Sequence, residues 1–320
     1  MLSHIIIYAL SFVGIWIGSG LAIGSVERLS KILRVSSFVV SFVVLGCFTS
    51  IGELSVGINS IFENDPEIYV GNLIGATIVI FMLIIPLLAI TGNKIRIQPE
   101  FRGFNLPASL VVIALPVIVA MDGRVGQTDA YIALVLFAIL IVVIQTKRSL
   151  LEKIKSINAK SSIRVGKEIL RILFGLAIIF VASRFIVNQT VYFSQLMNVS
   201  PFFISLLLIA VGTNIPELSF VVRSVFIPNN QVAFGDYVGS AAFNTFLFGI
   251  LTLLYGKPVQ LTNSYLVSLL FLIVGLFAFF YFARTKNTIT RLEGLALLGM
   301  YILFLATEIY LHKGALLPGV

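Results

Sequence analysis

Charge is scarce in this chain. Asp, Glu, Lys and Arg together make up 11% of its 320 residues, against 58% hydrophobic residues. A water-soluble domain of this size cannot cover its surface with so few charges. Cysteine is almost absent as well, and Cys47 alone excludes an intrachain disulfide or a cysteine-based metal centre. The two histidines, His4 and His312, stand at the chain ends, which argues against a buried histidine metal site or a histidine-based triad. Neither HExxH nor GxSxG occurs, so no catalytic chemistry is expected.

What is present is a series of long apolar runs, each roughly 17–25 residues, the length that crosses a bilayer as helix. The first ten residues lack a basic segment and a small-residue cleavage site, so they read as the start of a span. The runs predict an all-α membrane protein of ten transmembrane helices, near 5–26, 38–61, 69–90, 104–121, 129–145, 169–187, 201–222, 232–255, 263–282 and 294–311. Between the fifth and sixth, TKRSLLEKIKSINAKSSIRVGKE (146–168) is basic and is expected to form a solvated or surface-lying helix. With the N-terminus outside, 18 of the 22 Lys and Arg residues fall on the inner side or at its helix edges. Both termini are then expected outside, and the net charge of +8 is a topology signal that needs no nucleic-acid partner.

The second half repeats the first with an offset of 164 residues. TSIGELSVGINSIFENDPEIYVGNLIGA (49–76) aligns without a gap on TNIPELSFVVRSVFIPNNQVAFGDYVGS (213–240), with nine of 28 positions identical. Composition alone would give about two or three. Five spans per repeat is an odd number, so the second copy is expected to cross the membrane inverted. This divides the chain into a first five-helix repeat (1–145), a basic connection (146–168) and a second, inverted repeat (169–320). Inverted repeats characterise secondary transporters that bind their cargo near the midplane.

Glu53 and Glu217 are repeat partners and the only acidic residues placed deep inside apolar runs, with Asp236 near the start of the eighth and Glu308 near the end of the tenth. A carboxylate in hydrocarbon costs about 3 kcal/mol even on the lenient insertion scale. Two at matching depth point to a shared water-lined cation site; the alternative is a pair of protonated glutamates that merely join helices. Thr49 and Ser50 precede Glu53 by four and three residues, and Thr213 and Asn214 precede Glu217 likewise. Pro216 lacks an N–H and frees the carbonyl of Gly212, so an unwound turn is expected there, with Gly52 in the proline's place in the first copy. Gly71-Asn72-x-x-Gly75 and Gly235-Asp236-x-x-Gly239 open the following spans as close-packing motifs, which would bring Ser240 and Asn244 towards the glutamates. Two ionised glutamates suit a divalent cation, and Ca2+ takes six to eight oxygen ligands.

These segments resemble the calcium/cation antiporter superfamily, especially prokaryotic sodium/calcium exchangers. The GTS-x-PE pattern of that superfamily stands here as Phe48 to Glu53 and Gly212 to Glu217, and its GN-x-x-GS pattern as Gly71 to Ala76 and Gly235 to Ser240. The resemblance implies that Glu53 and Glu217 bind Ca2+, that Thr49 and Thr213 add backbone oxygens, and that hydroxyl-lined Na+ sites flank them. It also implies that the first and sixth helices slide past the core. The chain departs from the pattern at Ala76 (usually serine), Ile80 (asparagine), Asn244 (an acidic residue) and Asn214 (serine). The expected function is therefore exchange of inorganic cations across a cell membrane of prokaryotic type, Ca2+ against Na+ or H+. Exchange of another cation, a homologue that has lost transport, and an organic-solute transporter remain as alternatives.

Overall fold

The computed structural model describes residues 1–33, 46–92, 94–97, 101, 103–145, 159–215, 217–218, 221, 230–261 and 265–311. Hydrocarbon offers no hydrogen bonds to the backbone, so apolar runs of this length close their polar groups within helices. We number the helices α1 (Leu2–Leu33), α2 (Gly46–Thr49), α3 (Ile51–Phe62), α4 (Glu67–Thr91), α5 (Asn105–Val119), α6 (Gln127–Gln145), α7 (Ala159–Met197), α8 (Pro201–Thr213), α9 (Asn230–Tyr255), α10 (Tyr265–Lys286) and α11 (Arg291–Leu311). Among the described residues, eight helices are long and apolar enough to cross a membrane, and they coincide with eight of the ten expected spans. The second and seventh runs give instead the shorter pieces α2, α3 and α8. Residues 38–45, Pro216, 219–220 and 222 lie outside the described residues.

The offset of 164 residues carries the start of α4 to within a residue of the start of α9, and α6 onto the first 19 residues of α11. It also pairs two interruptions. Helix α2 ends before Ser50, at φ −78°, ψ 9°, and α8 ends before Asn214, its repeat partner, at φ −90°, ψ 11°. Both occupy the sparsely populated bridge region common at functional sites. After each, the helical bond returns at once, from Leu54 N–H to Ser50 O and from Leu218 N–H to Asn214 O, both 3.0 Å. The expected unwound turn is thus a single-residue kink, placed two residues before Gly52.

Four short strands escaped the sequence reading: β1 (Lys94–Arg96), β2 (Arg124–Val125), β3 (Val259–Gln260) and β4 (Thr288–Thr290). β1 pairs antiparallel with β4, and β2 with β3. Each ribbon joins one half of the chain to the other, and β1 and β2 stand at opposite ends of α5. Under the offset, β1 matches β3 and β2 matches β4, so the two ribbons are counterparts.

Residues 159–168 of the basic stretch are helical, as one of the two expected forms requires, and they run on into the sixth run as one long helix, α7, rather than as a separate surface-lying one. Residues 146–158 lie outside the described residues. α1 packs along α7 where side chains are smallest. A Cβ on Gly14 would stand 2.9 Å from Ala182 Cβ, and one on Gly175 would stand 2.6 Å from the Gly18 carbonyl oxygen. Glu168 ties one end of this pair, accepting from Arg28 Nε and from Arg171, each at 2.9 Å. Tyr8 with Thr190 (3.1 Å) and His4 with Gln189 (2.7 Å) tie the other.

Helices α4 and α9 form the buried centre, and α4 lies against α8 through Gly71 and Gly75. A Cβ on Gly71 would stand 2.6 Å from the Phe202 carbonyl oxygen, and one on Gly75 would press on the Leu206 carbonyl and stand 2.7 Å from Ala210 Cβ. Backbone cannot yield as a side-chain tip can, so Gly75→Ala must part the two helices. Overpacking of this kind costs about 1–3 kcal/mol. We expect a lower melting temperature in detergent for Gly75→Ala, whereas Gly299→Ala, at a position with open space around it, should melt as the parent does.

Candidate cation site

The two kinks bring the predicted site residues into the middle of the protein. Thr49, Ser50, Glu53, Thr213, Asn214, Glu217, Ser240 and Asn244 are all buried. Each kink leans on a helix of the other half. Ser50 Oγ lies 3.1 Å from Ser240 Oγ, which joins the first kink to α9. The Thr213 hydroxyl donates to Asn72 Oδ1 at 3.4 Å, which joins the second kink to α4.

The most direct link across the halves is Asn214. Its Nδ2 donates to the Ala210 carbonyl at 2.8 Å and to Glu53 Oε1 at 3.3 Å. A carbonyl accepts only, so the bond to Ala210 fixes which end of the amide is nitrogen and leaves Oδ1 on the other side. Asn214 stands three residues before Glu217, so this bond ties the segment that carries the second glutamate to the first. On α9, the Tyr237 hydroxyl donates to the Glu217 carbonyl oxygen at 3.2 Å. Ser240 and Asn244 follow Tyr237 by three and seven residues and so share its helix face, turned to both kinks.

Buried polar atoms are nearly always hydrogen-bonded, and exceptions call for a reason. Among the described residues, Glu53 Oε2, Asn214 Oδ1, Asn72 Nδ2, and both Asn244 Oδ1 and Nδ2 are buried without a hydrogen-bond partner. No basic side chain pairs with Glu53 among the described residues. Three of these atoms are oxygens, as a hard cation requires. The described residues hold no group of three or more His, Cys, Asp or Glu that could hold a metal ion. Carboxylate, amide and hydroxyl oxygens are what the cluster offers.

The cluster is lopsided. Ser240 and Asn244 on α9 match Ala76 and Ile80 on α4, and both of these apolar partners are buried. At these two offset positions α4 carries hydrocarbon where α9 carries oxygen. α1 closes over the kinks: a Cβ on Gly212 would collide with the Phe12 ring, and one on Gly52 would stand 3.6 Å from Ile15 Cγ2.

Sequence reading left Asn72 and Tyr237 out of the site. Asn72 was visible within its glycine motif, whereas nothing in the sequence sets the Tyr237 hydroxyl apart. It also took the two glutamates as the only deeply placed acids. Glu308 is buried as well, between α10 and α11, where the Ser268 hydroxyl donates to it. Thr49 and Glu53, although four residues apart, do not share a regular helix face, because the kink at Ser50 falls between them.

Comparison with known proteins agrees with this architecture. The profile of the sodium/calcium exchanger protein family matches residues 3–146 and again 167–310, two stretches displaced by the same 164 residues. The inner membrane protein YrbG of Escherichia coli is 24% identical over 290 residues, covering 87% of this chain and 88% of that protein. The sodium/calcium exchanger MaX1 of Methanosarcina acetivorans is 27% identical over 147 residues, 46% of this chain and 42% of its own. Among solved structures, the sodium-calcium exchanger NCX_Mj superposes with a TM-score of 0.69 at 22% identity, over 96% of this chain and 99% of that one, which shows a common fold. With a family match spanning both halves and a shared fold, this membrane-spanning chain belongs to the sodium/calcium exchanger protein family.

Proposed function

We propose that the protein is a secondary active antiporter that exchanges Ca2+ for Na+ across a cell membrane, with Glu53 and Glu217 as the charged ligands of one midplane site. Thr49, Ser50, Thr213, Asn214, Ser240 and Asn244 complete the oxygen set. The observation that carries this reading is the cross-half contact of Asn214 with Glu53 amid buried oxygens that lack hydrogen-bond partners.

The same reading makes the chain ten spans in two inverted halves, 1–145 and 169–320, joined by 146–168, with both termini outside. The ribbons support the inversion: β4 is the repeat counterpart of β2, yet it pairs with β1, which stands at the other end of α5. The doubled family match supports the duplication.

Exchange follows from charge. Two ionised glutamates carry −2, and taking that charge through a low-dielectric barrier without a counter-charge is costly. The site therefore changes sides when Ca2+, or enough monovalent cations, neutralise it. α1 and α7 are the moving part in this scheme, because among the described residues the strand pairing of the two ribbons ties the core of one half to that of the other and takes in no strand next to either helix. Sliding of α1 would withdraw Phe12 and Ile15 from Gly212 and Gly52 and open the site to one side. Protons are the second reading for the counter-ion, favoured by Ala76 and Ile80, which remove oxygens that a set of Na+ ions would need.

Uptake of 45Ca2+ into liposomes under an imposed Na+ or pH gradient tests the proposal. Uptake driven by an outward Na+ gradient is the expected result, and uptake driven by pH alone would assign the proton reading. No gradient-driven flux of Ca2+ would reject both.

A further inference from the structure

We propose that the protein binds one anionic phospholipid in the groove between α1 and α7, with Arg184 holding the lipid phosphate. Arg184 lies within the apolar span of α7 and is exposed on its surface. Among the described residues no carboxylate pairs with it, since the ion pairs present involve Arg28, Arg171 and Glu168. An arginine on a lipid-facing surface extends its guanidinium towards the headgroups and there meets phosphate.

Beside it runs an apolar groove of about 560 Å³, lined by Ile7, Leu10 and Ser11 of α1 and by Ala177, Ile178, Val181, Ala182 and Phe185 of α7. Arg184 follows Val181 by three residues and Ala177 by seven, so it stands on the rim of this face. From Ala177 to Phe185 the helix rises about 12 Å. That is most of one leaflet, half of a hydrocarbon core roughly 30 Å thick. Leu10 and Val181 are exposed to solvent or lipid by 63% and 58%, so the walls are open to the bilayer along their length. The Ser11 hydroxyl does not compete for the occupant, because it donates to the Ile7 carbonyl at 2.7 Å. Hydrocarbon walls with a single cation at one rim match an acyl chain under a phosphate. The leaflet is the one at the N-terminal end of α1.

Native mass spectrometry of the detergent-extracted full chain, titrated with phosphatidylglycerol or phosphatidylcholine, tests this independently of transport. One phosphatidylglycerol should be retained in preference to phosphatidylcholine. Arg184→Gln should weaken that retention roughly fivefold, the worth of one basic residue near an anionic lipid surface. Arg184→Lys should largely restore it, and Val181→Trp, which fills the groove, should weaken binding with the arginine intact. Equal retention by the parent and Arg184→Gln would overturn the proposal, as would a cross-link from position 184 to a second copy of the chain in liposomes.

Discussion

Ca2+ exchange by the Glu53→Gln and Glu217→Gln proteins is expected to fall to the level of protein-free liposomes. Glutamine keeps the shape and one oxygen and removes one negative charge. A divalent ion would then leave a net +1 in a buried site. Breaking a buried ion pair by removing one partner costs about 3–5 kcal/mol. That is roughly a hundredfold to several thousandfold in affinity. Folding should not suffer, because the amide lightens the burden of burying Glu53, whose Oε2 has no partner among the described residues. Melting temperature in the absence of Ca2+ should therefore hold or rise, while the rise produced by added Ca2+ disappears. Retained Ca2+ uptake in both variants would remove the glutamates from the site.

Asn244→Asp should have the second large effect. Asn244 is buried with both side-chain polar atoms lacking partners, so a carboxylate there would join the cluster with nothing in the protein to offset it. The site would carry −3, and its neutral load would become Ca2+ plus one monovalent cation. Both legs of the cycle stay neutral, so the exchange remains voltage-independent, but Ca2+ now crosses only together with a monovalent cation. An uncompensated buried charge costs about 3–5 kcal/mol, so 45Ca2+ uptake by the variant from a choline medium at high pH should fall roughly a hundredfold or more and return when Na+ is added to that side. Equal uptake by variant and parent without Na+ would place Asn244 outside the conducting cluster.

The sequence made the spans legible because bilayer burial leaves a long, crude signal, and eight runs became continuous helices, six of them within four residues of their expected limits. The repeat also pointed to an interruption beside each glutamate, at Pro216 and Gly52, and the structure sets the kinks two residues earlier, at Asn214 and Ser50. Hydropathy could not reveal that α7 starts at Ala159, because backbone hydrogen bonding continues whether or not the side chains turn basic. The ribbons were invisible for another reason: two or three residues carry no periodicity. The bond from Asn214 to Glu53 joins residues 161 positions apart and depends on packing that no local pattern encodes. Ile80 and Ala76 were read as departures, and the structure adds that both are buried.

The ribbons at the two ends of α5 bear on how such a chain can be assembled. Either half in isolation would expose two short strand edges with no mate of its own, one on each side of the bilayer. A strand edge left open is an invitation to pair with whatever arrives. The mate each edge requires is the other strand type, carried on the other half. In the inverted arrangement proposed above, the halves are joined through their loops as well as at the proposed cation site, and neither is finished before the other lies beside it.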